Sequence, residues 1–185
     1  MTAGDGPLVL GLHGWSQRNG WHTWEPLIEP LAAGGFRVVS VDMPGWGKSP
    51  AVGDGRLSSE QAVDVVLALL DSLGAETAAL MGKSWGGGVA LRAALDHPKR
   101  ITKLILSAPA FRDFGRLAQL PQPVLLAWAE DDDVIPIGHA ESYTDHVPDI
   151  RLETYESGGH SAAPENAGDF APKAITFLKE GKATG

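Results

Sequence analysis

Residues 79–89 read Ala79-Leu80-Met81-Gly82-Lys83-Ser84-Trp85-Gly86-Gly87-Gly88-Val89, an apolar run that breaks at a serine set among glycines. The core of the stretch, Gly82-Lys83-Ser84-Trp85-Gly86, fits the G-x-S-x-G pattern of a nucleophile elbow, in which a serine sits on a sharp turn between a strand and a helix. Such a turn brings strand and helix backbones close, so its flanks need residues without bulk, and Gly82, Gly86, Gly87 and Gly88 meet that need. The competing reading is a glycine-rich connection with an incidental serine. Context decides against it, because the motif lies where a strand pattern gives way to a helical one.

Outward from this turn the chain alternates. Short runs rich in Val, Ile and Leu at 7–12, 36–41, 77–81, 101–107, 123–129 and 150–155 read as six strands. Helical spacing fills the gaps at 24–33, 58–73, 85–96, 138–146 and 165–180, with Pro172 expected to kink or interrupt the last. Ser58 and Gln61 form a capping-box pattern and Gly74 stops that helix. Continuous apolar strands alternating with helices predict an α/β fold with a parallel sheet covered on both faces. The irregular stretch 109–121 is too short for a second domain, and residues 1–185 are expected to form a single domain.

Composition narrows the function. Without a single Cys the chain has no disulfide, thiol nucleophile or Cys-ligated metal, and none of its six His has the H-E-x-x-H spacing of a zinc protease, so no metal is expected. A net charge of −8 disfavours nucleic acid and anionic membranes as partners, since phosphate binding requires clustered Lys and Arg. No apolar run approaches the roughly 20 residues of a membrane helix, and the start Met1-Thr2-Ala3-Gly4-Asp5-Gly6 has no signal-peptide character; a cytoplasmic location is the default expectation. Two Gly-Lys-Ser triplets, at 47–49 and 82–84, invite a phosphate-binding reading. A P-loop needs a glycine five positions ahead of the Gly-Lys pair, where this chain has Asp42 and Thr77, so no nucleotide cofactor is expected.

A serine hydroxyl requires a base within reach and a third group to orient that base. Asp131, Asp132 and Asp133 follow the run 123–129, and His160 follows the run 150–155, which gives the order serine, acid, histidine that this elbow class uses.

Several further motifs make the chain similar to the α/β-hydrolase family over nearly its whole length. Leu12-His13-Gly14-Trp15 resembles the family's HG-x oxyanion loop, and Asp42-Met43-Pro44-Gly45-Trp46-Gly47-Lys48-Ser49 its D-x-P-G-x-G-x-S loop. Ala129-Glu130-Asp131-Asp132-Asp133-Val134-Ile135-Pro136 resembles its G-E-x-D-x-x-x-P acid loop, and His160 its late Gly-His. The resemblance implies a triad of Ser84, His160 and Asp132. Ala129 replaces the usual glycine and Asp133 the usual proline, so Asp131 and Asp133 stay open as the acid. It also implies an oxyanion hole from the backbone N–H groups of Trp15 and Trp85. The indoles of these two residues would either wall an acyl or aryl group or pack into the core. His13 is read as fixing the oxyanion loop, and Lys48 and Lys83 as residues at x positions of the two motifs, with tuning of His160 or contact with substrate as a further role for Lys83.

Larger members of the family insert a helical cap after their sixth strand. Only 48 positions separate Ser84 from Asp132, which leaves room for a minimal, lidless fold of about six mostly parallel strands. An open groove is then expected, shaped by 109–121, 45–57 and 139–143. Serine at the elbow, where dehalogenases and epoxide hydrolases of the fold carry aspartate, implies acyl transfer to water. The expected function is serine carboxylesterase activity on small or medium esters through an acyl-enzyme. The alternatives are thioester, amide or C–C hydrolysis, acyl transfer or perhydrolysis by the same triad, and a noncatalytic binding module.

Overall fold

The computed structural model of the chain describes residues 1–53 and 57–181. Its sheet has seven strands: β1 (Thr2–Ala3), β2 (Leu8–Leu12), β3 (Arg37–Ser40), β4 (Ala78–Lys83), β5 (Ile101–Ser107), β6 (Val124–Ala129) and β7 (Ile150–Tyr155). They lie in the order β1-β3-β2-β4-β5-β6-β7, and every pair from β3 to β7 is parallel. The strand not expected from sequence is β1, which runs antiparallel to β3 through Thr2↔Val39 and Ala3↔Val38. Two residues carry no readable alternation, so only the edge of β3 defines it.

The helices are α1 (Glu25–Ala33), α2 (Ser59–Ser72), α3 (Trp85–Asp96), α4 (Phe114–Leu117), α5 (Ala140–Thr144), α6 (Ala162–Glu165) and α7 (Ala167–Lys179). The capping box forms as read: Gln61 N–H donates to Ser58 Oγ at 3.2 Å, and Ser58 N–H to Gln61 Oε1 at 2.8 Å. Pro172 does not interrupt α7. The break falls earlier, at Asn166 (φ −104°, ψ 29°), while Phe170, Ala171, Ala174 and Phe177 hold α7 on the sheet across the proline. The four-residue α4 lies inside the stretch that reads as irregular.

Strand side chains alternate between two cores. Leu80 points to one, with Val63, Val66 and Leu70 of α2 and Val89 and Ala90 of α3. Ala79 and Met81 point to the other, with Leu27, Ile28 and Leu31 of α1 and Phe170 and Phe177 of α7. A sheet buried on both sides is what continuous apolar strands require. Register then sets the position of the site. Leu12 pairs with Gly82, Lys83 with Ser107, Ala127 with Glu153 and Ala129 with Tyr155, so the loops after β2, β4, β5, β6 and β7 leave from one rim. That rim includes the point where the strand order reverses around β2, the usual crevice for a ligand in an open α/β sheet. Among the described residues no cap domain interrupts the chain, and no helix is long and apolar enough to cross a membrane.

Candidate active site

Ser84 stands between β4 and α3 with φ 51° and ψ −118°, a left-handed backbone that costs a non-glycine residue about 1–3 kcal/mol. The surroundings hold it there. Its N–H donates to Ser107 O at 3.0 Å, and its C=O accepts from Gly88 N–H at 3.0 Å and Ala110 N–H at 2.8 Å. The glycines are sterically required: a Cβ at Gly82 would stand 2.6 Å from the backbone of Gly86 and Gly87, and one at Gly86 would stand 2.4 Å from His13 O. Close approach at Gly86 is also what seats the loop after β2 against the first turn of α3.

The acid and the imidazole come from the far side of the rim. His160 Nδ1 and Asp132 Oδ2 are 2.9 Å apart, while Asp132 Oδ1 accepts from Val134 N–H and Ile135 N–H, each at 2.9 Å. A carboxylate at Nδ1 fixes the ring as the tautomer with hydrogen on Nδ1 and a lone pair on Nε2. Nε2 itself is buried and makes no hydrogen bond among the described residues, so Ser84 Oγ is not bonded to it here. Of the three consecutive aspartates, only Asp132 is buried and bonded to the imidazole. Asp131 is exposed and accepts from the backbone of Gly158 and Gly159, and Asp133 is exposed.

His13 closes the third side. Met43 N–H donates to its Nε2 at 3.0 Å, which leaves the hydrogen on Nδ1 to be donated to Gly14 O at 2.7 Å. Burial holds its pKa below the ordinary imidazole value, against the opposing effects of the Gly14 carbonyl and Asp42. Neutral His13 therefore ties the loop after β2 to the loop after β3. Asp42 supports the second loop, accepting from Trp21 N–H at 2.8 Å and Lys48 N–H at 3.2 Å. Burial works against its ionisation, but these donors outweigh it and hold the carboxyl below its usual range.

Trp15 and Trp85 come together with a partner that sequence reading left out of the site. Trp46 stacks on Trp85 at 5.1 Å and 20°, and Trp15 stands edge-on to both. Trp46 is fully buried and its Nε1–H donates to Trp15 O at 3.0 Å, whereas Trp15 is 47% exposed. Neither the Trp15 nor the Trp85 backbone N–H donates a hydrogen bond among the described residues. Trp46 is thus core, Trp85 is half-buried and Trp15 is exposed. Only the loop motif at 42–49 hinted at Trp46, because stacking across loops has no local signature.

Sequence comparison meets the same picture. Residues 7–116 match the family model described as the alpha/beta hydrolase fold. The chain belongs to the alpha/beta hydrolase family. A 2-hydroxy-6-oxononadienedioate/2-hydroxy-6-oxononatrienedioate hydrolase from Cupriavidus pinatubonensis is 40% identical, the match covering 96% of this chain and 88% of that one. Their alignment spans 255 positions, more than the 185 residues here, so the relative has internal sequence without a counterpart in this hydrolase. Among solved structures, a predicted CIB-like hydrolase from Thermoplasma acidophilum is similar at TM-score 0.86 and 27% identity, covering 93% and 86% of the two chains. An esterase from Exiguobacterium antarcticum is similar at TM-score 0.86 and 20% identity, covering 97% and 94%.

Between the segment after β5 and the acid loop the hydrolase has a cleft of about 660 Å³, lined by Phe111, Phe114, Val134, Ile135 and Tyr143 among others; Ala110, whose N–H donates to Ser84 O, joins it to the elbow, while Ser84, Asp132 and His160 do not line it. Tyr143 fixes this wall: its hydroxyl donates to Pro109 O at 2.5 Å and accepts from Phe111 N–H at 3.2 Å. The expected contributions of 109–121 and 139–143 are present. Among the described residues of the loop 45–57 none lines this cleft, and residues 54–56 lie outside the described residues. Lys83 does not line the cleft. Its Nζ lies 3.4 Å from Asn19 Oδ1 in a small polar recess shared with Ser161 and Glu165. Burial lowers its pKa, opposed by the Asp132 and Glu165 carboxylates. No group of three or more His, Asp or Glu side chains among the described residues is arranged to hold a metal ion.

Proposed function

We propose that this hydrolase cleaves small or medium carboxylic esters with Ser84, His160 and Asp132 as its triad. The observation that carries the reading is the imidazole of His160, held by Asp132 through Nδ1 and presenting a buried, unpaired Nε2 as the base. Ser84 Oγ attacks the ester carbonyl and its proton passes to Nε2. The C–O bond to the alcohol then breaks, and Nε2 returns that proton to the departing alkoxide. Water, deprotonated by the same nitrogen, releases the acid from the acyl-serine and restores Ser84. The N–H groups of Trp15 and Trp85, without other partners among the described residues, receive the oxyanion, each such donor contributing roughly 3 kcal/mol. Asp132 keeps the imidazole in the working tautomer. The apolar, uncapped cleft favours an acyl or aryl group over a large enclosed substrate.

A second reading, hydrolysis of a C–C bond beside a ketone by the same residues, is favoured by the name of the 40% identical relative. The test runs both substrates. A series of p-nitrophenyl esters of increasing acyl length and a 2-hydroxy-6-oxo-dienoate are offered to the protein and to Ser84→Ala. Turnover of the esters, lost together with fluorophosphonate labelling in Ser84→Ala, supports the first reading. Faster turnover of the dienoate moves the assignment to the second. Undiminished ester turnover in Ser84→Ala removes the triad itself, and no turnover or labelling at all leaves a noncatalytic binding module.

A further inference from the structure

We propose that Asp131, at a position the acid-loop motif leaves open, is a positioning residue that sets where the His160 imidazole stands; the inference rests on the triad reading above. Three consecutive residues tie the acid loop to the histidine loop, each in a different way. Glu130 N–H donates to Tyr155 O at 2.8 Å, backbone to backbone. Asp131 accepts from Gly159 N–H at 2.7 Å and Gly158 N–H at 3.4 Å, carboxylate to backbone. Asp132 takes the imidazole at 2.9 Å, carboxylate to side chain.

The middle tie bears on the turn that aims the ring. Gly158 and Gly159 have φ of 137° and 51°, a backbone that favours glycine, and their two successive N–H groups both donate to the Asp131 carboxylate. Gly158 is also wedged sterically, since a Cβ there would stand 2.8 Å from Asn166 Nδ2. Gly159 is not. A Cβ on it would meet nothing within 4 Å, so no steric wedge acts there, and its N–H is tied to Asp131 while Ser161 N–H closes the turn on Gly158 O at 3.0 Å. The next residue is His160. A glycine free to rotate directly before the base would let the ring drift, and misplacement of a reacting group by about 1 Å costs on the order of 100-fold in rate.

The test compares Asp131→Ala and Asp131→Asn with the unaltered protein, reading kcat and KM on a p-nitrophenyl ester, the rate of fluorophosphonate labelling, and the low-field proton resonance of the Nδ1–H bond to Asp132. Asp131→Ala is expected to lower kcat by about 10- to 100-fold with KM within about twofold, to slow labelling in step, and to weaken the low-field resonance. Asp131→Asn, whose amide oxygen still accepts from Gly159, is expected to recover part of each; it also serves if the alanine variant fails to fold. A kcat within twofold and an intact resonance in Asp131→Ala would overturn the proposal. The resonance reports the His160–Asp132 bond without turnover, so it separates this failure from failure of the triad, which Ser84→Ala reads.

Discussion

The two halves of the site are built by different forces. The serine half is a steric construction: Gly82 and Gly86 admit backbone atoms where no Cβ fits, and three backbone hydrogen bonds hold Ser84 in a left-handed conformation. The carboxylate and imidazole half is a polar construction. There Asp132 is gripped by two amides, His160 by Asp132, and the turn before it by Asp131. Sterics make the first half intolerant of added atoms, whereas the second half is sensitive to lost charge and acceptors while its backbone stays free to fold.

Breaking the polar half should give the largest effect on rate. In Asp132→Asn the carboxamide can present its NH₂ to the ring and select the wrong tautomer, so kcat for ester cleavage is expected to fall about 10⁴-fold with the thermal midpoint little changed. A comparable loss of stability would mean that Asp132 is mainly structural. Breaking the steric half should do the reverse. Gly86→Ala drives a methyl group toward His13 O and Leu12 O, backbone atoms that cannot step aside, and is expected to cost about 3 kcal/mol in urea unfolding. A neutral result would show that the loop after β2 is looser than its contacts imply.

The smallest effect falls at His13, which ties the loop after β2 to the loop after β3 beside Gly86. The pKa of His13 is held below 6.5 by burial, so between that folded value and 6.5 the unfolded chain binds more protons than the native one. Stability should therefore rise with pH across that window and fall as the pH is lowered through it, where charging the ring would displace the Met43 N–H from Nε2. Urea midpoints against pH should lose part of this slope in His13→Asn. An unchanged slope would assign it to other groups.

Much of this was readable before any coordinates, for a physical reason. Strands buried on both faces must be continuously apolar, which is why the runs 7–12 and 123–129 contain β2 and β6, each buried along its whole length. The elbow was readable because its requirement for small residues is local. By contrast β1 was hidden: its two residues become a strand only against the edge of β3. At the C-terminal end the proline misled, because burial of Phe170 and Phe177 outweighs one missing N–H and the chain bends at Asn166 instead.

By itself the sequence determined the order of β2 to β7 and of the longer helices, the elbow serine, and the three aspartates and one histidine from which a triad could be drawn, since each depends on residues close together in the chain. Only tertiary structure decided that Asp132 rather than its neighbours meets His160, that Asp131 turns to the glycines, and that Trp46 backs Trp85. Those choices depend on strand register and on which loops face one another across the rim, and adjacent aspartates of identical chemistry differ there only in direction.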